Sequence, residues 1–344
     1  MKLKSLLSGL IIGLIICSSN GFAEADKWTQ KADMPTERGY FATSEVDGKI
    51  YAIGGMKNEN SIGVVLQTTE EYDPILDKWV RKDEMPTERA YLSTAVLNGK
   101  IYAIGGVRFG LTPLSKVEEY DPKKDLWTKK DDIIIPRFCF ASAVVEDRIY
   151  VIGGGTAHRV EGNFGIIEST SSVEEYDPVT NRWTEKADMP TARYDFAVGV
   201  VKDKIYCIGG RDGGKAIDDI LSIVEEYDPS LDKWTQKADM PTPRFFMSAS
   251  VANDKIYVIG GHSGLSIVEE YDPETDKWTR KADMMIGRGG NSSCSVNGKI
   301  YAIGGYNHSG YLSTVEEYDT GFGAKNVDAK GKLATNWGEI KSNG

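Results

Sequence analysis

Short apolar runs, each closed by turn residues, recur along the whole chain and predict β-strands throughout. In one well-marked stretch, FATSEV at 41–46 is rich in small residues, the pair Asp47-Gly48 follows, and the apolar run IYAIGG fills 50–55. Asp-Gly, like Asn98-Gly99 and Asn297-Gly298 in equivalent places, accepts positive φ and suits a two-residue hairpin. A third run ends in Glu-Glu-Tyr-Asp, after which Asp-Pro turns the chain by local hydrogen bonding and a fixed φ. A fourth run carries a tryptophan. The unit reads as four short antiparallel strands, a to d, with small-residue strand a innermost where blades converge.

The unit repeats, and the repeat decides the architecture. Gly-Gly pairs stand at 54–55, 105–106, 153–154, 209–210, 260–261 and 304–305. Tyr72, Tyr120, Tyr176, Tyr227, Tyr271 and Tyr318 follow them, and Arg38, Arg89, Arg137, Arg193, Arg244 and Arg288 open the units. The tryptophans are Trp28, Trp79, Trp127, Trp183, Trp234 and Trp278. Arg to the first Gly is always 16 residues, and Trp to the next Arg is always 10. From Tyr to Trp is 7 wherever a unit holds both. Residues 26–36, DKWTQKADMPT, are identical to 232–242, which form strand d of a complete unit. The last unit has Lys325 where its Trp would stand. An orphan strand d at the start therefore fits a vacancy at the end, and a ring of six blades with no free sheet edge at the seam is expected. An open solenoid of the same units leaves the orphan unexplained.

A Gly-Gly pair, then Tyr, then Trp, with Arg opening the next unit, resembles the kelch family over about residues 26–320. The resemblance implies an all-β, six-bladed kelch-type propeller with four antiparallel strands per blade, closed by the N-terminal strand d. It names a fold and not an activity.

Only the segment from Gly-Gly to Tyr varies in length: 18, 15, 23, 18, 11 and 14 residues. It holds the b–c loop, which in an up-down blade shares a face with the d–a connection. One face is uniform and the other individually tailored, and function favours variable loops on a rigid scaffold. Kelch proteins commonly bind on that face. Two residues after each Arg stand Tyr40, Tyr91, Cys139, Asp195, Phe246 and Gly290; directly after each Gly-Gly stand Met56, Val107, Gly155, Arg211, His262 and Tyr306. By resemblance, these two sets line the channel entrance. The ligand-binding candidates are Tyr40, Tyr91, Arg108, His158, Asp195, Arg211, Phe246, His262, Tyr306 and His308. Aromatics with a few charged groups suit an interface or a sugar site; the competing role is to plug the channel.

Repeated motifs are read as scaffold. The Glu pairs, such as Glu70-Glu71 and Glu316-Glu317, resemble paired catalytic carboxylates, but neighbours along a strand face opposite ways and the pair recurs in every unit. Ion pairs with the repeat Arg or Lys are expected. The six Arg, as an alternative, would ring an anionic ligand; scaffold bonds to carboxylates and carbonyls are the expectation. His158, His262 and His308 all fall in b–c segments without metal-ligand spacing, so no metal and no cofactor is expected. Arg211, Asp212, Asp218 and Asp219 match no calcium pattern.

The N-terminus reads as a cleavable export signal over 1–25: basic Lys2 and Lys4, the apolar stretch 5–17, too short to span, then Ala23-Glu24-Ala25. An uncleaved anchor is the other reading. A secreted or periplasmic location, without membrane insertion after cleavage, follows. A formal charge of −10 over 344 residues argues against nucleic acid and anionic membranes as partners. Cys139, Cys207 and Cys294 replace repeat residues and read as small buried hydrophobes; a Cys139–Cys207 bridge is the alternative. The tail, 321–344, lies outside the repeat. Two functions stay open. The first is a monomeric binding module for a protein or carbohydrate; the role of intracellular ligase-associated kelch proteins is not carried over to it. The second is an exported carbohydrate-active enzyme of the sialic acid mutarotase (N-acetylneuraminate epimerase) type, whose ring-opening chemistry would draw on Arg211 with Asp195 or His262. The copper ligand set and Cys–Tyr crosslink of galactose oxidase have no place in the sequence.

Overall fold

The computed structural model describes residues 26–59, 62–108, 112–157, 167–213 and 220–321. The expected signal at 1–25, the tail after Gly321, candidate His158, and Asp218 and Asp219 lie outside the described residues.

Six four-stranded antiparallel sheets form the blades. In blade 1 the strands run Ala42–Val46, Lys49–Ile53, Thr69–Asp73 and Lys78–Arg81 from the axis outward. The a strands of the six blades touch in a circle: Ala42–Val46 meets Ser93–Leu97, and Ser292–Val296 returns to Ala42–Val46. Their small residues permit that convergence. Both residues of the a–b turn have positive φ, as in Asp47 (53°) and Gly48 (79°). Glu146-Asp147, Lys202-Asp203 and Asn253-Asp254 make the same turn without glycine. The b–c segments add small two-stranded hairpins, such as Met56–Glu59 with Ile62–Val65 and Tyr306–Asn307 with Gly310–Tyr311. The sequence does not announce these hairpins.

The ring closes as expected. Lys27–Lys31 pairs antiparallel with Val315–Asp319, setting Trp28 opposite Tyr318. Asp26 Oδ1 accepts from the Tyr318 hydroxyl (2.6 Å) and the Ala282 N–H (2.9 Å). Asp77 does the same for Tyr72 (2.5 Å) and Ala32 (2.8 Å) inside the chain. Trp28 Nε1 donates to Ala282 O at 2.9 Å, as Trp79 Nε1 does to Ala32 O at 3.0 Å. The seam thus carries the same bonds as the covalently continuous junctions. The apolar core lies between blades; Trp28, Ile300 and Tyr318 of blade 6 pack with Tyr257, Ile259 and Val268 of blade 5.

The six repeat arginines are scaffold, each 0% exposed. Arg288 Nη1 donates to Gly304 O and Thr314 O, both at 2.9 Å, and Nη2 reaches Glu316 at 2.5 Å. The arginine carbonyl accepts from the second glycine of the preceding blade, as in Gly55 N to Arg89 O at 2.9 Å and, across the seam, Gly305 N to Arg38 O at 2.8 Å. Both glycines are required there: a Cβ on Gly54 would lie 2.6 Å from the same Arg89 O, and one on Gly55 would lie 2.8 Å from Gly39 O. The first glutamate of each pair meets the arginine and the second faces the other way; Glu71 accepts from Lys49 (2.6 Å) and the Tyr51 hydroxyl (2.9 Å). A threonine supplies the first glutamate's other donor where proline stands in the d–a turn, as in Thr36 to Glu70 (2.8 Å). Blades 3 and 6 lack that proline, and there backbone amides take over: Ile134 and Ile135 donate to Glu174, and Met285 and Ile286 to Glu316.

Candidate functional site

The d–a connection brings each chain segment to the axis, and the residue two after each repeat Arg is left-handed in every blade. Tyr40, Tyr91, Cys139, Asp195, Phe246 and Gly290 have φ between 53° and 57°. Their backbones form a closed circle. Tyr91 N–H donates to Tyr40 O (2.7 Å), Cys139 to Tyr91 (3.0 Å), Asp195 to Cys139 (2.9 Å) and Phe246 to Asp195 (3.1 Å). Gly290 donates to Phe246 and Tyr40 to Gly290, both at 2.8 Å. A left-handed non-glycine residue costs roughly 1–2 kcal/mol; six inter-blade hydrogen bonds at about 1 kcal/mol each offset much of that.

The mouth above this circle divides into two halves. The aromatic half gathers Tyr40, Tyr91, Phe246, Tyr306 and Tyr311. Tyr40 stacks on Tyr91 at 4.3 Å, meets Phe246 edge-on at 5.1 Å and touches Tyr306 at 5.2 Å. Gly290 makes room for the Tyr40 ring, since a Cβ there would lie 2.8 Å from it. Tyr40 and Tyr91 stack face to face, so part of the cluster plugs the axis. Burial, with neighbouring tyrosines, pushes the Tyr40 hydroxyl far up and keeps it neutral.

The polar half lies on blades 3 and 4. Arg211 pairs with Tyr194 in a two-way backbone bridge, which sets its side chain beside the circle. Its Nε donates to Asp195 Oδ2 at 2.9 Å. Its guanidinium lies 4.5 Å from the Tyr194 ring, 4.5 Å from Phe245 and 5.3 Å from Phe246. Burial, with the Asp195 carboxylate close by, pushes the Cys139 thiol well up. Cys139 therefore departs from the expected apolar role, while Cys207 and Cys294 are buried as expected. All three are free thiols, so the alternative Cys139–Cys207 bridge is not formed.

Asp195 is 6% exposed. Burial raises its carboxyl from the ordinary 3.8 to about 6, against the opposing pull of Arg211 and the thiol. A carboxyl that holds its proton more tightly when folded stabilises the fold at low pH. That contribution is complete below about pH 4 and lost as pH rises through about 6. The unfolding free energy of the native chain minus that of Asp195→Asn is expected to fall by on the order of 3 kcal/mol between pH 4 and 7. Chemical denaturation across that range checks it; a flat or rising difference contradicts it.

The sequence candidates are thus partly united. Tyr40, Tyr91, Phe246 and Tyr306 meet in one cluster and Asp195 and Arg211 in one ion pair, with Phe246 touching both. His262 stacks flat on Phe245 at 4.4 Å, and burial with Arg211 and Arg244 nearby lowers its pKa. Arg108 and His308 are exposed on their hairpins, with no contact to the cluster among the described residues. Tyr194, Phe245 and Tyr311 are functional-looking residues the sequence reading passed over. For the first two the signal existed: the position directly after the repeat Arg varies between blades as Gly39, Ala90, Phe138, Tyr194, Phe245 and Gly289.

Comparison with known proteins agrees with this architecture. The model of the KLHDC2/KLHL20/DRC7 Kelch-repeats domain matches residues 160–326, and the Kelch motif matches 37–86 and 88–131. Kelch-like protein 7 of Rattus norvegicus is 42% identical over 219 residues, covering 64% of this chain and 35% of that protein. Kelch-like protein 25 of Xenopus tropicalis is 34% identical over 233 residues, covering 67% of this chain and 30% of that protein. The chain thus spans about a third of the length of these curated relatives. The solved structure of YjhT superposes with a TM-score of 0.68 at 17% identity, covering 83% of this chain and 95% of that one. At that identity the likeness concerns the fold.

Proposed function

Since the chain belongs to the kelch-repeat family, we propose that it is an exported interaction propeller, docking a partner protein or glycan on the face made by its d–a connections and b–c segments. One observation carries this reading. On a disc whose other features repeat six times, the half-buried aromatics and the Asp195–Arg211 pair at the mouth do not repeat. A rigid platform with individually varied loops is what a specific surface needs. Export rests on the basic and apolar pattern of residues 1–25.

The catalytic alternative has no comparable observation behind it. Asp195 is enclosed and already engaged by Arg211 and Cys139. His262 lies flat against Phe245.

The test uses residues 26–344 against an array of glycans and extracytoplasmic proteins, followed by affinity measurement on any captured partner. Changing Tyr306, His262 and Arg108 together to alanine is expected to weaken capture at least about tenfold, as interface aromatics and arginines do. Changing Ile75, Val179 and Leu231, exposed at 87%, 86% and 63% on c–d turns of the opposite face, to serine is expected to leave it within about twofold. The reverse outcome overturns the assignment of the face.

A further inference from the structure

We propose that Asn291 and Ser248 bind a buried water molecule where blade 6 meets blade 5. The inference goes beyond the binding-face reading and does not depend on it, because the site lies between two blades and takes no part in docking.

The residue three after each repeat Arg is a wedge between neighbouring blades. The wedges are Phe41, Leu92, Phe140, Phe196, Met247 and Asn291. Each rests on the first glycine of the preceding blade: a Cβ on Gly153 would lie 3.0 Å from the Phe196 ring, and one on Gly260 would lie 3.0 Å from Asn291 Oδ1. Five wedges are large and apolar, as a close-packed junction requires. The sixth is an amide at the same depth, 7% exposed like Phe196. A side chain smaller than phenylalanine leaves room in that place, and a buried polar one needs hydrogen-bond partners.

Asn291 has one such partner in the protein. Its Nδ2 donates to Ser248 Oγ at 2.7 Å. Its Oδ1 is buried and has no protein donor. Ser248, having accepted that bond, keeps an O–H of its own to give, and among the described residues nothing accepts it. Water meets both needs together, accepting from Ser248 and donating to Oδ1. Arg288 O stands beside Asn291 Oδ1, both of them against Gly260. It accepts the Gly261 N–H at 3.0 Å and keeps a second lone pair for the other proton of the water. Buried waters commonly make about three bonds of this kind.

The axis supplies a route to the site. Ser248 and Ser292 begin the innermost strands of blades 5 and 6 and are half-buried. Ser292 Oγ bonds Thr43 Oγ1 of blade 1 at 2.8 Å, and Ser250 Oγ bonds Ser293 Oγ at 2.9 Å. Strand Ser292–Val296 is therefore fastened to both neighbours through hydroxyls, which offer water a polar path. Strand Ala197–Val201 of blade 4 carries no hydroxyl and offers none.

A high-resolution crystal structure of residues 26–344 is expected to show a water within about 2.7–3.2 Å of both Asn291 Oδ1 and Ser248 Oγ. In solution, water oxygen-17 relaxation dispersion counts long-lived internal waters, and Asn291→Leu is expected to hold about one fewer than the native chain. Leucine is already the wedge of blade 2, as Leu92, so this variant should fold. Its melting temperature reports the state of the amide. With water on Oδ1, leucine relieves no cost, and the melting temperature is expected to fall or to stay within about 3 °C. A stranded Oδ1 would make leucine stabilising, and a rise above about 3 °C overturns the site. Ser248→Ala keeps the wedge but removes one partner of the water, and is expected to lose the density peak with folding retained. A peak unchanged in that variant, or no water at Oδ1 in the native crystal, overturns the site as well. None of these failures touches partner capture by the loop face, so the water site and the binding face fall separately.

Discussion

Arg137→Met is expected to lower the unfolding free energy by about 3–5 kcal/mol, the usual cost of stranding one member of a buried ion pair. Arg137 and Glu174 are both 0% exposed and 2.5 Å apart. The guanidinium also donates to Gly153 O at 2.9 Å, Ser172 O at 3.0 Å and Ser172 Oγ at 2.8 Å. One side chain thus fastens strands a, b and c of its blade, and methionine can fill its volume but make none of those bonds. Glu174 would keep only the Ile134 and Ile135 amides as donors. Adding Glu174→Gln is expected to recover part of the loss by removing the stranded charge. The control is Arg182→Met on an exposed outer strand, expected to change stability by less than about 0.5 kcal/mol. Urea unfolding of the variants decides the matter; a loss under about 1 kcal/mol for Arg137→Met would remove the ion pair from its structural role.

A chain that begins at Ala32 is expected not to fold into a stable monomer. Residues 26–31 supply the whole outer strand of blade 6, and their loss leaves the edge of Val315–Asp319 unpaired. Trp28 is 5% exposed, and burying an aromatic of that size is worth about 3–5 kcal/mol by itself. The hydroxyl of Tyr318 and the amide of Ala282 lose Asp26 as their acceptor as well. Against a typical total stability of about 5–15 kcal/mol, that sum is decisive. Circular dichroism melting and gel filtration read the outcome, and a synthetic peptide of residues 26–36 should restore the melt when added in trans. Normal melting of the truncated chain would mean that the seam does not hold the ring.

The fold was legible in the sequence because its determinants are local and repeated six times. Trp28 could be matched to Tyr318 because the 26–36 string has an identical copy whose place in a blade is plain. The division of labour within each Glu pair also followed from strand alternation, and the structure gives one glutamate to arginine and the other to lysine and tyrosine. The mouth was legible only as a set of positions. Tyr40, Tyr91 and Phe246 are not residues that favour positive φ, so nothing in their identity announces the left-handed circle. That conformation is imposed by six backbones meeting at an axis. Likewise, Cys139 reads as a small apolar residue between Phe138 and Phe140 until Asp195, 56 positions later, arrives beside its thiol. Phe245 and Tyr194 matter through Arg211, and a ring clamp on a guanidinium depends on side-chain directions that spacing does not encode.

The pairing of Lys27 with Asp319 also dictates an order of events. The strand synthesised earliest has no partner until almost the last residue of the disc exists. Until then both the beginning and the growing end present raw strand edges, open to mispairing with any neighbour. Joining ends so far apart in the chain carries a loop-closure penalty that is met only once, at the final step. Closure should therefore be the slow step, with the blades held as an open arc that gains its rigidity only when the two ends meet.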